Sequence, residues 1–167
     1  MIETAYPLRP FLPTDTMALR ELFAASVEEL CQDDYDEDQR AAWVACAEDA
    51  DAFRQRLERA TTLIIEVDGE HAGFGSLKDN THLDMLYVHP YFAGQGVGSA
   101  LADALETIAR GRGSESVTVE ASETAVLFFE ARGYQSLQRN SVERGGEWLT
   151  TTTMRRRLLP PGKEGSA

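Results

Sequence analysis

The chain has 167 residues, with 16 Lys and Arg against 28 Asp and Glu and a formal charge of −12 at neutral pH. With 43% hydrophobic and 26% charged residues it has the composition of a globular chain, long enough for one domain with its own core. The negative field argues against sequence-independent nucleic-acid binding and an anionic membrane surface. Phosphate neutralisation needs cations clustered over a whole face, and the only basic run is Arg155-Arg156-Arg157.

Tyr6 to Arg9 reads as a short strand before Pro10 and Pro13, and Thr14-Asp15 as the cap of a helix whose apolar face is Leu19, Leu22, Phe23, Ser26, Val27 and Leu30. Asp36 to Cys46, with Ala42, Trp43 and Cys46 on one face, predicts a second helix, and Ala52 to Arg59, with Phe53 and Leu57, a third. The β-rich run Thr62 to Val67 leads through Asp68-Gly69, a hairpin signal, into His71 to Leu77. A second hairpin at Lys78-Asp79-Asn80 returns the chain through Leu83 to Val88.

After His89-Pro90 the alternation gives way to a helical repeat: Ala100, Leu101, Ala104, Leu105 and Ile108 share a face, and Gly111 and Gly113 close it. A strand at Ser116 to Glu120 follows, then a helix with Ala125, Leu127, Phe128 and Phe129 that ends at Gly133. Two last strands run from Tyr134 to Glu143 and from Glu147 to Arg156 around Gly145-Gly146. Residues 1–158 are expected to form a single domain, with 159–167 as a frayed tail too poor in apolar residues to fold.

The longest apolar run, Ala41 to Ala47, has seven residues, short of the roughly 20 that span a bilayer. Met1-Ile2-Glu3-Thr4 has no basic n-region and no apolar h-region, so a cytoplasmic protein is expected. Cys31 and Cys46 read as two reduced, partly buried thiols, since a chain of this size with its own core needs no disulfide.

Charge is unevenly distributed along the chain. Residues 28–51 hold ten acids against one base, Arg40, a local charge of −9. By contrast, the eighteen residues from Met85 to Ala102 include no Asp, Glu, Lys or Arg. Within that window lies Tyr91-Phe92-Ala93-Gly94-Gln95-Gly96-Val97-Gly98-Ser99, ahead of the helix. Glycines at 94, 96 and 98 leave little side-chain bulk, so successive N–H groups can converge on one concave spot at a helix N-terminus, which carries about half a positive charge. That is an anion cradle in a stretch with no acid to repel the anion. It is not a Walker loop, since no Lys follows these glycines, nor a dinucleotide fingerprint, since counting from Gly94 puts Ser99 where the last Gly belongs.

These residues resemble the GNAT acyltransferase family. Its apolar strand ending in Val-x-Pro is matched by Leu83 to Pro90, and its Gln/Arg-x-x-Gly-x-Gly/Ala loop and amphipathic helix by Ala93-Gly94-Gln95-Gly96-Val97-Gly98-Ser99-Ala100-Leu101. The family's downstream pattern Asn-x-x-Ala-x-x-Phe-Tyr-Glu-x-x-Gly-Phe is met by Ser122, Ala125, Phe128, Phe129, Glu130, Gly133 and Tyr134 at the same spacing. Within the family, the run Glu120 to Glu130 looks like a bacterial subgroup.

The resemblance implies an α+β GNAT fold: a mixed, mostly antiparallel sheet of six or seven strands, flanked by helices and splayed between the fourth and fifth strands. It implies acetyl-CoA as donor, its pyrophosphate on the amides of Gly94 to Ser99 and its pantetheine arm on the backbone of Leu86 and Val88. The cofactor-binding set is then Leu86, Tyr87, Val88, Ala93, Gly94, Gln95, Gly96, Val97, Gly98, Ser99, Ser122, Phe128 and Phe129, with no metal.

Three positions depart from the family pattern. Ala93 stands where Gln or Arg is usual, Ser122 where Asn is, and Phe129 where a Tyr commonly protonates the departing thiolate. Tyr87 and Tyr134 are the candidate acids in its place. An alkyl ammonium with pKa near 10.4 needs about 4.6 kcal/mol to give up its proton at pH 7, so a base is required. Asp84 and Glu120 are the candidates, because both lie beside the implied splay. The histidines His71, His82 and His89 are residues of a type that can act as a base; His82 flanks the cofactor strand and is the one to test, whereas His89, in the turn before Pro90, reads as structural. Cys31, in acidic surroundings without a basic partner, is a poor nucleophile.

The expected activity is acetyl transfer to a primary amine of a small cationic metabolite or peptide, drawn toward the acids around Asp33 to Asp38, by a monomer or homodimer. The alternative is a non-catalytic CoA-binding or partner-binding module that keeps the cradle, for which Phe129 speaks.

Overall fold

The computed structural model describes residues 6–158, so the expected tail 159–167 lies outside the described residues. The chain begins with β1 (Leu8–Pro10), a 3-10 turn (Pro13–Asp15) and three helices, α1 (Thr16–Leu30), α2 (Glu37–Ala45) and α3 (Ala50–Glu58). A meander follows: β2 (Thr61–Val67), β3 (Glu70–Lys78) and β4 (His82–Val88). A 3-10 turn at Pro90–Phe92 leads into α4 (Val97–Gly111), then β5 (Ser116–Ser122), α5 (Val126–Ala131), β6 (Gln135–Arg144) and β7 (Glu147–Arg157).

Local chemistry explains the helix starts, with one correction. Asp36 caps α2 by accepting from the Gln39 N–H, and Asp49 caps α3 by accepting from the Ala52 N–H. Asp15, expected to cap α1, makes no such bond. Its carboxylate is instead held by both terminal nitrogens of Arg9 at 2.8 and 2.7 Å and by the Leu12 N–H at 2.8 Å, which ties the start of the chain to the sheet. Asp15, Glu66 and His71 offer ligand atoms within 4.8 Å of one another, but the Arg9 guanidinium sits among them, bonded to both carboxylates.

The seven strands form one mixed sheet in the order β1-β2-β3-β4-β5-β7-β6. Every neighbouring pair is antiparallel except β4 and β5. That parallel pair is short, with only His82 opposite Thr118 and Leu83 opposite Val119, after which the strands part. At the same point β4 bulges. Leu83 faces Leu77 and Met85 faces Ser76, so Asp84 is the extra residue, and such bulges re-aim side chains. The splay between the fourth and fifth strands therefore begins at Asp84.

Helices α1 and α3 cover one face, where Leu19, Leu22, Phe23 and Phe53 pack on Ile64, Phe74 and Met85. Helix α4 covers the other face, with Val97 and Leu101 on Ile65 and Ala72, and Leu105 and Ala109 on Leu77, Leu83 and Val117. Two glycines in β3 let α4 approach closely. A Cβ at Gly73 would stand 2.7 Å from Val97 Cγ1, and one at Gly75 would stand 3.0 Å from Leu105 Cδ1.

The buried stripe of α4 is Val97, Leu101, Ala102, Leu105, Glu106 and Ala109, rotated from the face read in the sequence. Glu106 belongs in it because its carboxylate meets Arg132 at 2.6 Å, Arg156 at 2.7 Å and the Tyr134 hydroxyl at 2.7 Å. Among the described residues, no helix is long and apolar enough to cross a membrane.

Candidate functional site

The glycine loop sits at the end of β4, anchored by Phe92 and Val97, which are 6% and 1% exposed, and by the Tyr6 hydroxyl, which donates to the Gln95 carbonyl at 2.6 Å. Gly94 and Gly96 have φ of 77° and 84°, a left-handed backbone that favours glycine, and an added Cβ at either would meet nothing within 4 Å. Helix α4 starts at Val97 with Gly96 as its cap, and its first-turn N–H groups, on Val97, Gly98 and Ser99, have no partner inside the helix. The loop therefore presents open donors at the positive end of a helix, within a window free of acids, which fits a pyrophosphate. The Ala93 amide serves the turn instead, donating to the Pro90 carbonyl at 3.2 Å. At Gly98 a Cβ would lie 3.5 Å from Val88 and 3.7 Å from the Phe128 ring, so the cradle adjoins both the cofactor strand and α5.

Backbone parity prepares β4 for a second ligand segment. The His89 N–H donates to the Ala72 carbonyl at 2.8 Å, and a Cβ at Gly73 or Gly75 would meet the carbonyls of Tyr87 or Met85 at 3.1 or 3.4 Å. Residues 85, 87 and 89 thus turn their main chain toward β3. Alternation turns Leu86 and Val88 toward the gap, where β5 has already diverged.

Two cavities meet in that gap. The smaller, of about 70 Å³, runs between Leu86 and Tyr87 of β4, Val119 to Ser122 of β5, and Ala125 and Phe129. The larger, of about 200 Å³, opens on the side of the first helices and is bounded by Trp43, Arg56, Asp84, Tyr87, Glu120, Arg144 and Thr151, among others. Asp84, Tyr87, Glu120 and Ser122 line both.

The two candidate bases differ sharply. Asp84 accepts from Arg56 Nε at 2.6 Å and Nη2 at 3.0 Å, with its side chain only 14% exposed. Burial, the largest single effect, would raise its carboxyl, but the Arg56 hydrogen bonds together with the positive charge of Arg56 and its neighbours hold it below its ordinary value. Such a carboxylate is a weak base and a firm anchor. Glu120 is 38% exposed, and its contact with Arg144 Nη2 is 3.4 Å. It also lies within β5, not at its end, and the turn after the strand is capped by Ser122, whose hydroxyl accepts from the Ala125 N–H at 3.2 Å. Glu120 thus faces the gap with only the long Arg144 contact to hold it.

Of the two candidate acids the structure brings only Tyr87 to the site. It packs edge-on against Phe23 at 4.7 Å between ring centres and near Trp43 at 6.4 Å, and burial pushes its phenol up. Tyr134 lies in the core beneath α4, 3% exposed, with its hydroxyl on Glu106. Burial and that carboxylate raise it strongly, and it lines neither cavity. Phe129, 2% exposed, packs on Phe128 and Tyr134.

None of the ten acids of residues 28–51 lines the large cavity. Asp36 and Asp49 are spent on caps, and Asp34 accepts from the Thr124 hydroxyl at 2.8 Å. That stretch contributes Tyr35, Trp43, Cys46 and Ala47 instead. Cys31 is buried and Cys46 exposed, both as free thiols. His82 lines the large cavity and pairs through Nδ1 with the Thr118 hydroxyl at 2.9 Å. Trp43, Arg56, Arg144 and Thr151 escaped the sequence reading. Only Trp43 carried a signal, as a large aromatic on an otherwise small-residue helix face.

A family model described as Acetyltransferase (GNAT) domain matches residues 31–158. The uncharacterized N-acetyltransferase YafP of Escherichia coli is 30% identical over 148 residues, 89% of this chain and 93% of that protein. A crystal structure of a GCN5-related N-acetyltransferase from Rhodopseudomonas palustris, also described as a class-II aminotransferase, shares 47% identity over 95% of this chain and 99% of its own, with a TM-score of 0.92. The PaiA N-acetyltransferase of Thermoplasma acidophilum, solved with coenzyme A, shares the fold at 17% identity, over 93% of this chain and all of its own, with a TM-score of 0.75. The chain belongs to the GNAT acetyltransferase family, whose splayed mixed sheet and glycine loop it displays.

Proposed function

We propose that this protein moves the acetyl group of acetyl-CoA to a primary amine by direct attack on the thioester, with Glu120 as general base. The observation that carries the reading is the position of Glu120. It lines both the gap that continues from the cradle and the larger cavity beyond it.

The amides of Gly94 to Ser99 would hold the pyrophosphate, and the backbone of Leu86 and Val88 the pantetheine arm. Bound there, the co-substrate supplies an activated acyl group. Glu120 takes a proton from the acceptor nitrogen, directly or through one water, as the N–C bond forms and the C–S bond breaks; the proton then leaves with the sulfur. Asp84 keeps Arg56 in place at the mouth of the cavity. Tyr87 stays protonated and can donate a hydrogen bond to the departing sulfur. Full transfer from a phenol raised above its ordinary 10 to a thiolate near 8.5 is uphill, so its role is polarisation.

A class-II aminotransferase needs a lysine for its Schiff base. Among the described residues the single lysine, Lys78, is exposed at the end of β3 and outside the gap.

The burial of Phe129 where the family commonly has its phenol favours a second reading, a CoA-binding module without turnover. Thiol release from acetyl-CoA over a panel of amines separates the two. Amine-dependent release supports transfer, whereas tight acetyl-CoA binding with no release by any amine supports the module.

A further inference from the structure

The large cavity carries no excess of either sign. Asp84 and Glu120 are matched there by Arg56 and Arg144. A polycation would find each carboxylate already paired and would meet two guanidiniums, so the acids of the first helices do not make this a polyamine pocket.

The two pairs are unequal. Arg56 and Asp84 form a bidentate bridge at 2.6 and 3.0 Å. Arg144 and Glu120 touch only through one 3.4 Å contact, beyond the usual hydrogen-bond range, with side chains 42% and 38% exposed. The loose pair is the one a ligand can enter, its ammonium on Glu120 and an anion on Arg144.

A third polar group points the same way. Thr151 lines the cavity at 8% exposure, and its buried hydroxyl has no hydrogen-bond partner. An unsatisfied buried hydroxyl is uncommon and suits a ligand acceptor such as a carboxylate oxygen. Elsewhere the wall combines an apolar patch, Trp43, Tyr87, Val142 and Leu149, with the polar His82 and Ser122. A volume of about 200 Å³ lies below the range of roughly 300–1,000 Å³ for drug-sized ligands, which restricts the occupant to a small molecule.

We propose that the acceptor is a small aminocarboxylate with an apolar side chain. Its ammonium lies on Glu120, its carboxylate on Arg144 and Thr151, and its side chain against Trp43 and Tyr87. This rests on the acetyl-transfer reading and names its substrate class. The bound ammonium first gives one proton through Glu120 to solvent, and the neutral amine loses a second as the new amide bond forms and the C–S bond breaks, that proton leaving with the released thiol. The products are an N-acetyl aminocarboxylate, free CoA and one proton.

The test is thiol release with leucine, methionine and phenylalanine, with their amides, which keep the amine and lose the carboxylate charge, and with putrescine and glucosamine. The free amino acids are expected to exceed their amides in kcat/KM by about 10–100-fold, the effect of one hydrogen bond to a charged group. In Arg144→Gln that ratio should collapse toward one, with acetyl-CoA binding retained as evidence that the variant is folded. Turnover of putrescine or glucosamine without the amino acids would overturn this inference and leave acetyl transfer standing. An undiminished amino-acid preference in Arg144→Gln would also overturn it. No release with any of these amines would overturn the transfer reading, and the acceptor assignment with it.

Discussion

The donor cradle and the acceptor cavity are neighbours built on opposite rules. The cradle uses main-chain N–H groups, left-handed glycines at 94 and 96, and an eighteen-residue window without a formal charge. The cavity uses side chains from α1, α2, α3, β4, β5, β6 and β7, including two carboxylates and two guanidiniums. Backbone recognition needs one short segment with little side-chain bulk, and it can serve any protein with the same donor. Side-chain recognition needs a particular set of residues and so carries the specificity. On the proposed assignment, a chain of charge −12 can hold a polyphosphate because no acid lies in the eighteen-residue window that contains the glycine loop.

Breaking the chemistry while sparing the donor gives the largest effect. Glu120→Gln should lower amine-dependent kcat/KM by about 10²–10⁴-fold, the usual contribution of a general base, read by thiol release. Next comes a block on the acceptor side alone. Cys46 is exposed and lines the large cavity, so alkylation by N-ethylmaleimide should depress turnover on the order of 10²-fold through misplacement of the acceptor. Cys46→Ala should be insensitive over the same period, because Cys31 is buried and burial pushes its thiol up.

A smaller effect tests the seat of the cradle. Gly73→Ala forces a Cβ to within 2.7 Å of Val97 Cγ1 and 3.1 Å of the Tyr87 carbonyl, so it should cost about 1–3 kcal/mol in denaturant unfolding and also weaken acetyl-CoA, because Val97 opens α4. The last change lies outside both regions. Arg9 holds the Asp15 carboxyl well below the usual carboxylate range, against the opposing effect of burial. Its contribution is therefore present above the unfolded value near 3.9 and is lost as pH falls through the depressed native one. Asp15→Asn should cost about 2 kcal/mol at pH 7, a difference from wild type that shrinks on acidification below that range, with steady-state kinetics unchanged.

The same contrast decides what the sequence discloses. The cradle is continuous, so alternate glycines between an apolar strand and a helical repeat can be read from one line of text, and the mixed sheet and its splay follow from the resemblance those residues carry. The cavity is discontinuous. Arg56 on α3 and Arg144 on β6 become site residues only when the sheet brings β5 beside β7 and α3 over β4. Tyr134 misleads for a related reason. Its chain position beside the family motif is correct, but its hydroxyl is claimed by Glu106, a buried acid that the apolar pattern of α4 conceals. The dense acids of residues 28–51 mislead as well, since capping and local pairing occupy several of them and the neutral members face the cavity. Asp84 is legible as a carboxylate beside the splay, but only the bulge and the Arg56 bridge show it to be an anchor.

Calorimetric titration of acetyl-CoA into wild type, Gly96→Asp and Glu120→Gln tests the division of labour most directly. Gly96→Asp places a carboxylate at the positive helix end proposed to hold the pyrophosphate, so affinity should fall on the order of 50-fold or more, whereas Glu120→Gln should stay within about twofold of wild type. Undiminished affinity in Gly96→Asp, or an equal loss in Glu120→Gln, would contradict the assignment of donor to backbone and acceptor to side chains.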